Sequence, residues 1–201
     1  MAKFLAFIHA EQDIEDFRSD FPEHEFVHVS QNAIPGVRAV LHQNSVGETM
    51  DLLKQDHVAS PFAGIVFGSD PELYVKSADQ AVTALGLRRF VSNPDAVRDK
   101  YAMRLALAGK VACPQTRVVS EGMVAANLPD LKFPCVLKPR HGFGSICVFM
   151  ATNRRELAAA QKGMQAAMAF VVHQHPLAVP SNDMLLENFV GGTEHTVELF
   201  V

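Results

Sequence analysis

The sequence predicts an α/β protein in two parts: a small parallel-sheet unit, then a mixed α+β unit built around a glycine-bearing hairpin. Three observations carry that expectation. Over residues 1–92, short apolar runs alternate with stretches of helical periodicity, as in a sheet with crossover helices. Asn93-Pro94-Asp95 then marks a fresh helix start, with Asn93 as cap and Pro94 at the first helical position. Beyond it, residues 133–148 (F-P-C-V-L-K-P-R-H-G-F-G-S-I-C-V) read as strand, glycine turn and strand, with positive charge at the turn's entrance.

The first part opens with a continuous apolar strand at 4–8, suited to a sheet covered on both faces. A short helix at 11–21 ends near Pro22, and strands follow at 25–29 and, more weakly, at 38–42. Residues 46–55 read as a helix with Met50, Leu52 and Leu53 turned inward, and G-I-V-F at 64–67 as a strong strand. Asp70 is placed to cap the next helix, with Pro71 at its first position and apolar spacing over 73–85 until Gly86. No G-x-G-x-x-G follows the first strand, so this part lacks the dinucleotide fingerprint and is expected to pack or to line a substrate.

From Asn93 a helix is expected to run to about Ala108 and close at Gly109, with Val97, Tyr101, Leu105 and Ala108 as its apolar stripe and Lys100 beside it. A strand at 116–119, a short helix at 121–127 and the hairpin come next. Asn153 caps an alanine-rich helix at 156–168, 170–175 reads as a strand and 177–183 as a loop. The last stretch gives a buried-type strand at M-L-L-E-N, a turn at Gly191-Gly192 and a strand at 194–201. Glu187 interrupts the first of these, as a charge does only when it is paired or faces a ligand. The chain stops inside an apolar run, and a longer protein is expected.

Composition narrows the function. A net charge of −4 provides no global field for nucleic acid or anionic membrane, so any anion site must be local. Cysteines number three (Cys113, Cys135, Cys147), odd and scattered, which speaks against a secreted disulfide framework and for small buried apolar residues. The N-terminal apolar run is too short for a signal peptide, and no window spans a bilayer; a cytoplasmic protein is expected.

The hairpin turn carries the chemistry. Backbone N–H groups approach a phosphate closely where there is no Cβ, and Gly142 and Gly144 flank such a turn beside Ser145. Lys138 at the strand end supplies a point charge. An ordinary hairpin with two glycines and solvated basic residues fits the loop equally well when the loop is read alone. Viewed alone, Lys100 is likewise more often a solvated lysine. His173 and His175 form H-x-H without a third ligand, so no metal site is expected within the chain; Arg154 and Arg155 read as solvated charges at a helix start, and Met164 and Met168 as packing.

Taken together, three segments resemble the ATP-grasp superfamily, in particular its carbamoyl-phosphate synthetase, biotin carboxylase and D-alanine–D-alanine ligase branches. N-P-D-A-V-R-D-K-Y-A-M-R is similar to the family helix whose basic residue, here Lys100, reaches the nucleotide phosphates. L-K-P-R-H-G-F-G-S-I-C-V resembles the phosphate lysine (Lys138, taken as catalytic) and the flexible loop containing His141, Gly142, Gly144 and Ser145. L-L-E-N-F-V-G-G-T-E-H-T-V-E is similar to the adenine hinge, which implies Glu187 near the exocyclic amine, Phe189 and Val190 along the ring, and Glu194, or less readily His195, at the ribose. The resemblance implies a Rossmann-like pre-ATP-grasp domain at 1–92, and an ATP-grasp domain at 93–201. The latter comprises a linker helix (93–109), a small lobe (112–185) and the start of the second lobe (186–201).

The implied activity is ATP-dependent formation of an acyl phosphate from a carboxylate, then attack by an amine, with ATP and Mg²⁺ as cofactors. Small-molecule substrates, no nucleic acid, no membrane and room for a homo-oligomer go with it. Two departures stand out. Cys147 occupies a position where many relatives carry glycine, and the metal ligands of the second lobe have no match up to Val201, so the Mg²⁺ ligands are expected beyond it. A nucleotide-binding module without catalysis therefore stays open.

Overall fold

The computed structural model describes residues 1–41, 46–69, 71–142, 144–174, 182–193 and 195. His42, the Asp70 cap, most of the 177–183 loop, His175, Glu194 and the strand expected at 194–201 lie outside the described residues.

Two four-stranded sheets organise the chain. The first is parallel, in the order β3-β2-β1-β4, from β1 (Lys3–Phe7), β2 (Glu25–Ser30), β3 (Ala39–Val40) and β4 (Gly64–Phe67). Both faces are covered, which explains the continuous apolar runs. On one face Ile14 of α1 (Glu11–Asp20) packs with Ala6 and Ile8. On the other, Met50 and Leu53 of α2 (Val46–Ala59) and Ala78 and Ala81 of α3 (Val75–Leu85) pack with Leu5, Phe7 and Val29. Residues 71–73 form a 3-10 turn ahead of α3, and Gly86 closes α3 in the left-handed conformation (φ 66°).

The turns after β1 and β4 are joined through one buried carboxylate. Asp13 accepts the N–H groups of His9 (2.8 Å), Ala10 (2.9 Å) and Ser69 (2.8 Å), and the Ser69 hydroxyl (2.9 Å). Burial works against its charge, but these donors prevail and hold its pKa below the usual carboxylate range. A Cβ on Gly68 would sit 2.6 Å from the Asp13 Cγ. Gly68→Ala is therefore expected to destabilise the fold by about 2–3 kcal/mol, read as a lower urea midpoint at unchanged slope. An unchanged midpoint would show that Asp13 can move at no cost.

The second sheet is antiparallel, ordered β5-β8-β6-β7: β5 (Thr116–Val119), β6 (Cys135–Pro139), β7 (Phe149–Ala151) and β8 (Met184–Asn188). Its core face is covered by α6 (Arg154–Gln174) through Leu157, Met164, Met168 and Val171. Gln161 on that same face binds the chain at 123–125, accepting the Ala125 N–H (2.8 Å) and donating to the Met123 carbonyl (2.6 Å). This packing corrects the strand expected at 170–175: residues up to Gln174 are helical, because the buried face reaches Val171 and overrides the local strand propensity. The helix expected at 121–127 shrinks to a 3-10 turn at Ala125–Asn127. The second hairpin strand begins at Phe149, not Ile146. Asn153 does cap α6, accepting the Glu156 N–H at 3.0 Å.

The helix expected from Asn93 is broken in two, α4 (Pro94–Arg98) and α5 (Lys100–Leu107). Asp99, in extended conformation, starts the second by accepting the N–H groups of Tyr101 (2.9 Å) and Ala102 (3.2 Å). The break turns the expected stripe outward: Val97 is 52% exposed and Leu105 60%. No described helix is long and apolar enough to cross a membrane.

Candidate functional site

Alternation along β6 sends Cys135, Leu137 and Pro139 into the core and leaves Val136 and Lys138 on the open face. β8 runs antiparallel beside it with Glu187 opposite Val136, and β5 on its other side sets Thr116 opposite the same Glu187. That register puts Lys138 on the diagonal from Glu187, and its ammonium reaches the carboxylate at 2.5 Å. Arg104 approaches from α5 with Nε to Oε1 (2.9 Å) and Nη2 to Oε2 (3.3 Å), and the Thr116 hydroxyl donates to Oε1 (3.0 Å). Glu187 is 5% exposed. Burial pushes its pKa up, yet the donors Arg104 and Lys138 outweigh that and keep it an anion below the usual range. The paired charge expected at this strand position is present, with a partner that the sequence motif did not single out.

Lys100 enters from the first turn of α5. Its N–H donates to the Arg140 carbonyl (3.2 Å) and its ammonium to the Gly142 carbonyl (2.9 Å), fastening the helix to the glycine loop. Burial, then repulsion from Arg98 and Lys138, lowers its pKa to about 8 against the opposing pull of Asp99 and Glu187. The loop's own shape comes from left-handed backbone at Gly144 (φ 56°), Ser145 (φ 56°) and Cys147 (φ 62°). Two of those three are not glycine, and a side chain there is strained by about 1 kcal/mol.

Behind the loop, Arg140 bridges Asp99 (Nε 3.0 Å, Nη2 2.6 Å) and Asp183 (Nη1 3.1 Å). Burial opposes the Asp99 charge, but Arg140 and the helix N–H groups bring its pKa down to about 2.

These elements enclose a cleft of about 900 Å³. Lys100, Lys138, Gly142, Gly144, Ser145, Glu187, Phe189 and Val190 all line it, so eight of the residues picked from the sequence face one space. His141 is buried behind the loop with Nε2 3.8 Å from Asp99, and His195 is exposed; neither belongs to the cleft wall. Arg154 binds the carbonyls of Ala126 and Leu128, and Met164 and Met168 are buried. The cysteines are free, and Cys113 borders the cleft.

Sequence reasoning missed Arg98, Asp99 and Arg104. A signal existed for the last, since Arg104 lies four residues after Lys100 and shares its helix face. Glu72, on the turn before α3, is the one described wall residue from the first sheet's half of the chain. Among the described wall residues four cations (Arg98, Lys100, Arg104, Lys138) face two carboxylates (Glu72, Glu187). The excess is positive, and Met103, Ile146, Val148, Phe189 and Val190 add apolar surface to the wall. A polyanion with an apolar head fits this donor set. Among the described residues there is no group of three or more acidic, histidine or cysteine side chains placed to hold a metal ion.

Residues 131–201 match the family model for the ATP-grasp domain. No curated protein matches the chain. Among solved structures, the L-amino acid ligase from Bacillus licheniformis aligns with a TM-score of 0.62 at 19% identity, over 94% of this chain and 45% of that one. The D-alanine–D-alanine ligase from Bacillus anthracis aligns at 0.57 and 13%, over 96% and 59%. The biotin carboxylase domain of 2-oxoglutarate carboxylase from Hydrogenobacter thermophilus, in complex with MgADP and bicarbonate, aligns at 0.56 and 15%, over 94% and 44%. The resemblance read from the three motifs is thereby borne out. The chain spans about half the length of these structures.

Proposed function

We propose that this chain, as the bearer of an ATP-grasp segment, is the nucleotide-binding part of a ligase that uses ATP to activate a carboxylate for attack by an amine. The observation that carries the reading is the convergence of Lys100, Lys138 and the glycine loop on one cationic cleft that also has apolar wall residues. In the proposed division, residues 1–92 form a Rossmann-like domain preceding the ATP-grasp domain and 93–201 its small lobe and the start of the next. The reaction balances as transfer of the γ-phosphoryl group to a carboxylate oxygen, releasing ADP. The amine nitrogen then forms a bond to the acyl carbon, which expels phosphate and loses a proton.

Lys100 and Lys138 offset charge on the phosphate oxygens, and N–H groups of the loop around Gly142–Ser145 hold them in place. Backbone groups of Asn188–Val190 border the base, and Phe189 and Val190 cover it. Closing the loop excludes water from the acyl phosphate. Mg²⁺ would neutralise triphosphate charge, and its ligands are not among the described residues. Glu187, expected near the exocyclic amine, also has its oxygens engaged by Arg104, Lys138 and Thr116, and through them it orients Lys138.

The test is ADP release by the full-length protein against panels of small carboxylates and amines. ADP is expected only when an acid and an amine are both present. Absence of turnover together with absence of nucleotide binding overturns the reading. Cys147, a side chain at a left-handed position of the loop (φ 62°), favours one other reading, a binding module without catalysis, and nucleotide binding without ADP release would select it.

A pH effect follows from Lys100. Phosphate charge stabilises its ammonium, so the bound pKa lies above the free value of about 8. ATP affinity is expected to stay level below that pH and to fall as pH rises through the bound pKa, with proton uptake on binding seen by calorimetry. Lys100→Arg, charged throughout, removes the slope. A slope that persists in Lys100→Arg assigns the titration to another group.

A further inference from the structure

The Arg104–Glu187–Lys138 cluster does more than tie α5 to β8. Glu187 has two oxygens with about four acceptor directions. Oε1 accepts from Arg104 Nε and Thr116 Oγ1; Oε2 accepts from Lys138 Nζ and Arg104 Nη2. Every direction is filled, and the guanidinium fork fixes the carboxylate plane. Lys138 is thus confined to one oxygen, spending one of its three N–H donors there and keeping two for the cleft.

Charge matters as much as direction. A Lys138–Glu187 pair by itself is neutral and closed, a poor partner for phosphate. Arg104 makes the cluster net positive by one. The side chains of Arg104 and Lys138 are 22% and 14% exposed and that of Glu187 6%, so water screens little of this. Burial lowers the Lys100 pKa most, and repulsion from Arg98 and Lys138 adds to it.

We propose that Arg104 is a positioning residue: it shares the charge of Glu187, so that the Lys138 ammonium stays aimed at the phosphates of a nucleotide and keeps its attraction for them. This rests on the nucleotide reading above and adds a residue to it. An arginine acting only as a staple between helix and strand would weaken every ligand alike. An arginine that governs Lys138 weakens phosphate-bearing ligands selectively.

The experiment is calorimetric titration of the full-length protein with ATP, inorganic tripolyphosphate and adenosine, for the wild type, Arg104→Lys, Arg104→Gln and the double variant Arg104→Gln/Glu187→Gln. Arg104→Gln is expected to lose at least about tenfold in affinity for ATP and tripolyphosphate and less than about twofold for adenosine. The double variant, which deletes both charges, is expected to recover tripolyphosphate binding to within about threefold of wild type. Arg104→Lys, which keeps the charge without the fork, is expected to fall between. Equal losses for all three ligands, or a double variant as weak as the single, overturn the proposal and leave Arg104 a staple. If the wild type binds neither ATP nor tripolyphosphate, the nucleotide reading has itself failed; normal wild-type binding with an unaltered Arg104→Gln condemns only the role of Arg104.

Discussion

Exchange of Lys138 for methionine is expected to weaken ATP binding about a hundredfold and to slow ADP formation by on the order of a thousandfold. The side chain is 14% exposed and sits between the Glu187 carboxylate and the cleft. Methionine keeps most of its apolar bulk, so packing against β8 survives. What disappears is the charge nearest the place where the phosphates would lie. Glu187 remains paired with Arg104, which holds the loss of folding stability to about 1–3 kcal/mol. Titration with ATP and a steady-state ADP assay read the two effects, and thermal unfolding separates them from misfolding. A folded Lys138→Met protein that binds ATP as tightly as wild type would refute the site.

Asp99 is the second sensitive point. Its carboxylate starts α5, takes a two-pronged grip from Arg140 and lies next to Lys100 in the chain. Asp99→Ala is expected to cost about 2–4 kcal/mol, because it removes a helix cap and leaves the Arg140 guanidinium with Asp183 as its one remaining carboxylate among the described residues. Asp99→Asn keeps an N-cap and loses the ion pair, at about 2 kcal/mol. Acid gives an independent reading of the same pair. The folded pKa of about 2 lies below the ordinary 3.8, so the stabilisation is complete above the latter and is lost as pH falls through the former. Wild-type stability should therefore fall by about 2 kcal/mol more than that of Asp99→Asn between pH 4 and 2, measured by urea unfolding. Parallel curves would place the Asp99 charge outside the folding balance.

Much of this molecule is legible in the sequence where the decisive partners are neighbours along the chain. The alternation Val136, Leu137, Lys138 sets the strand and its open face, and Glu187 in an apolar run announces a paired charge. The split at Asp99 was not legible: no glycine or proline marks it, and the arginine that completes it is 41 residues away. The clamp of Arg104 on Glu187 spans 83 residues. Local propensity misled at 170–174, where valines suggest a strand while the buried stripe from Leu157 to Val171 keeps the helix going. Cys147 stands where many relatives carry glycine, and the backbone there is left-handed (φ 62°) even with a side chain present.

The strand order of the second sheet sets a mechanical asymmetry. β8 is flanked by β5 and β6, so the acid it carries is gripped from left and right, whereas the glycine loop leads into β7, three residues long and at the margin. A pull on the glycine loop is therefore borne by a short strand bonded to one neighbour, whereas a pull on Glu187 is shared between two.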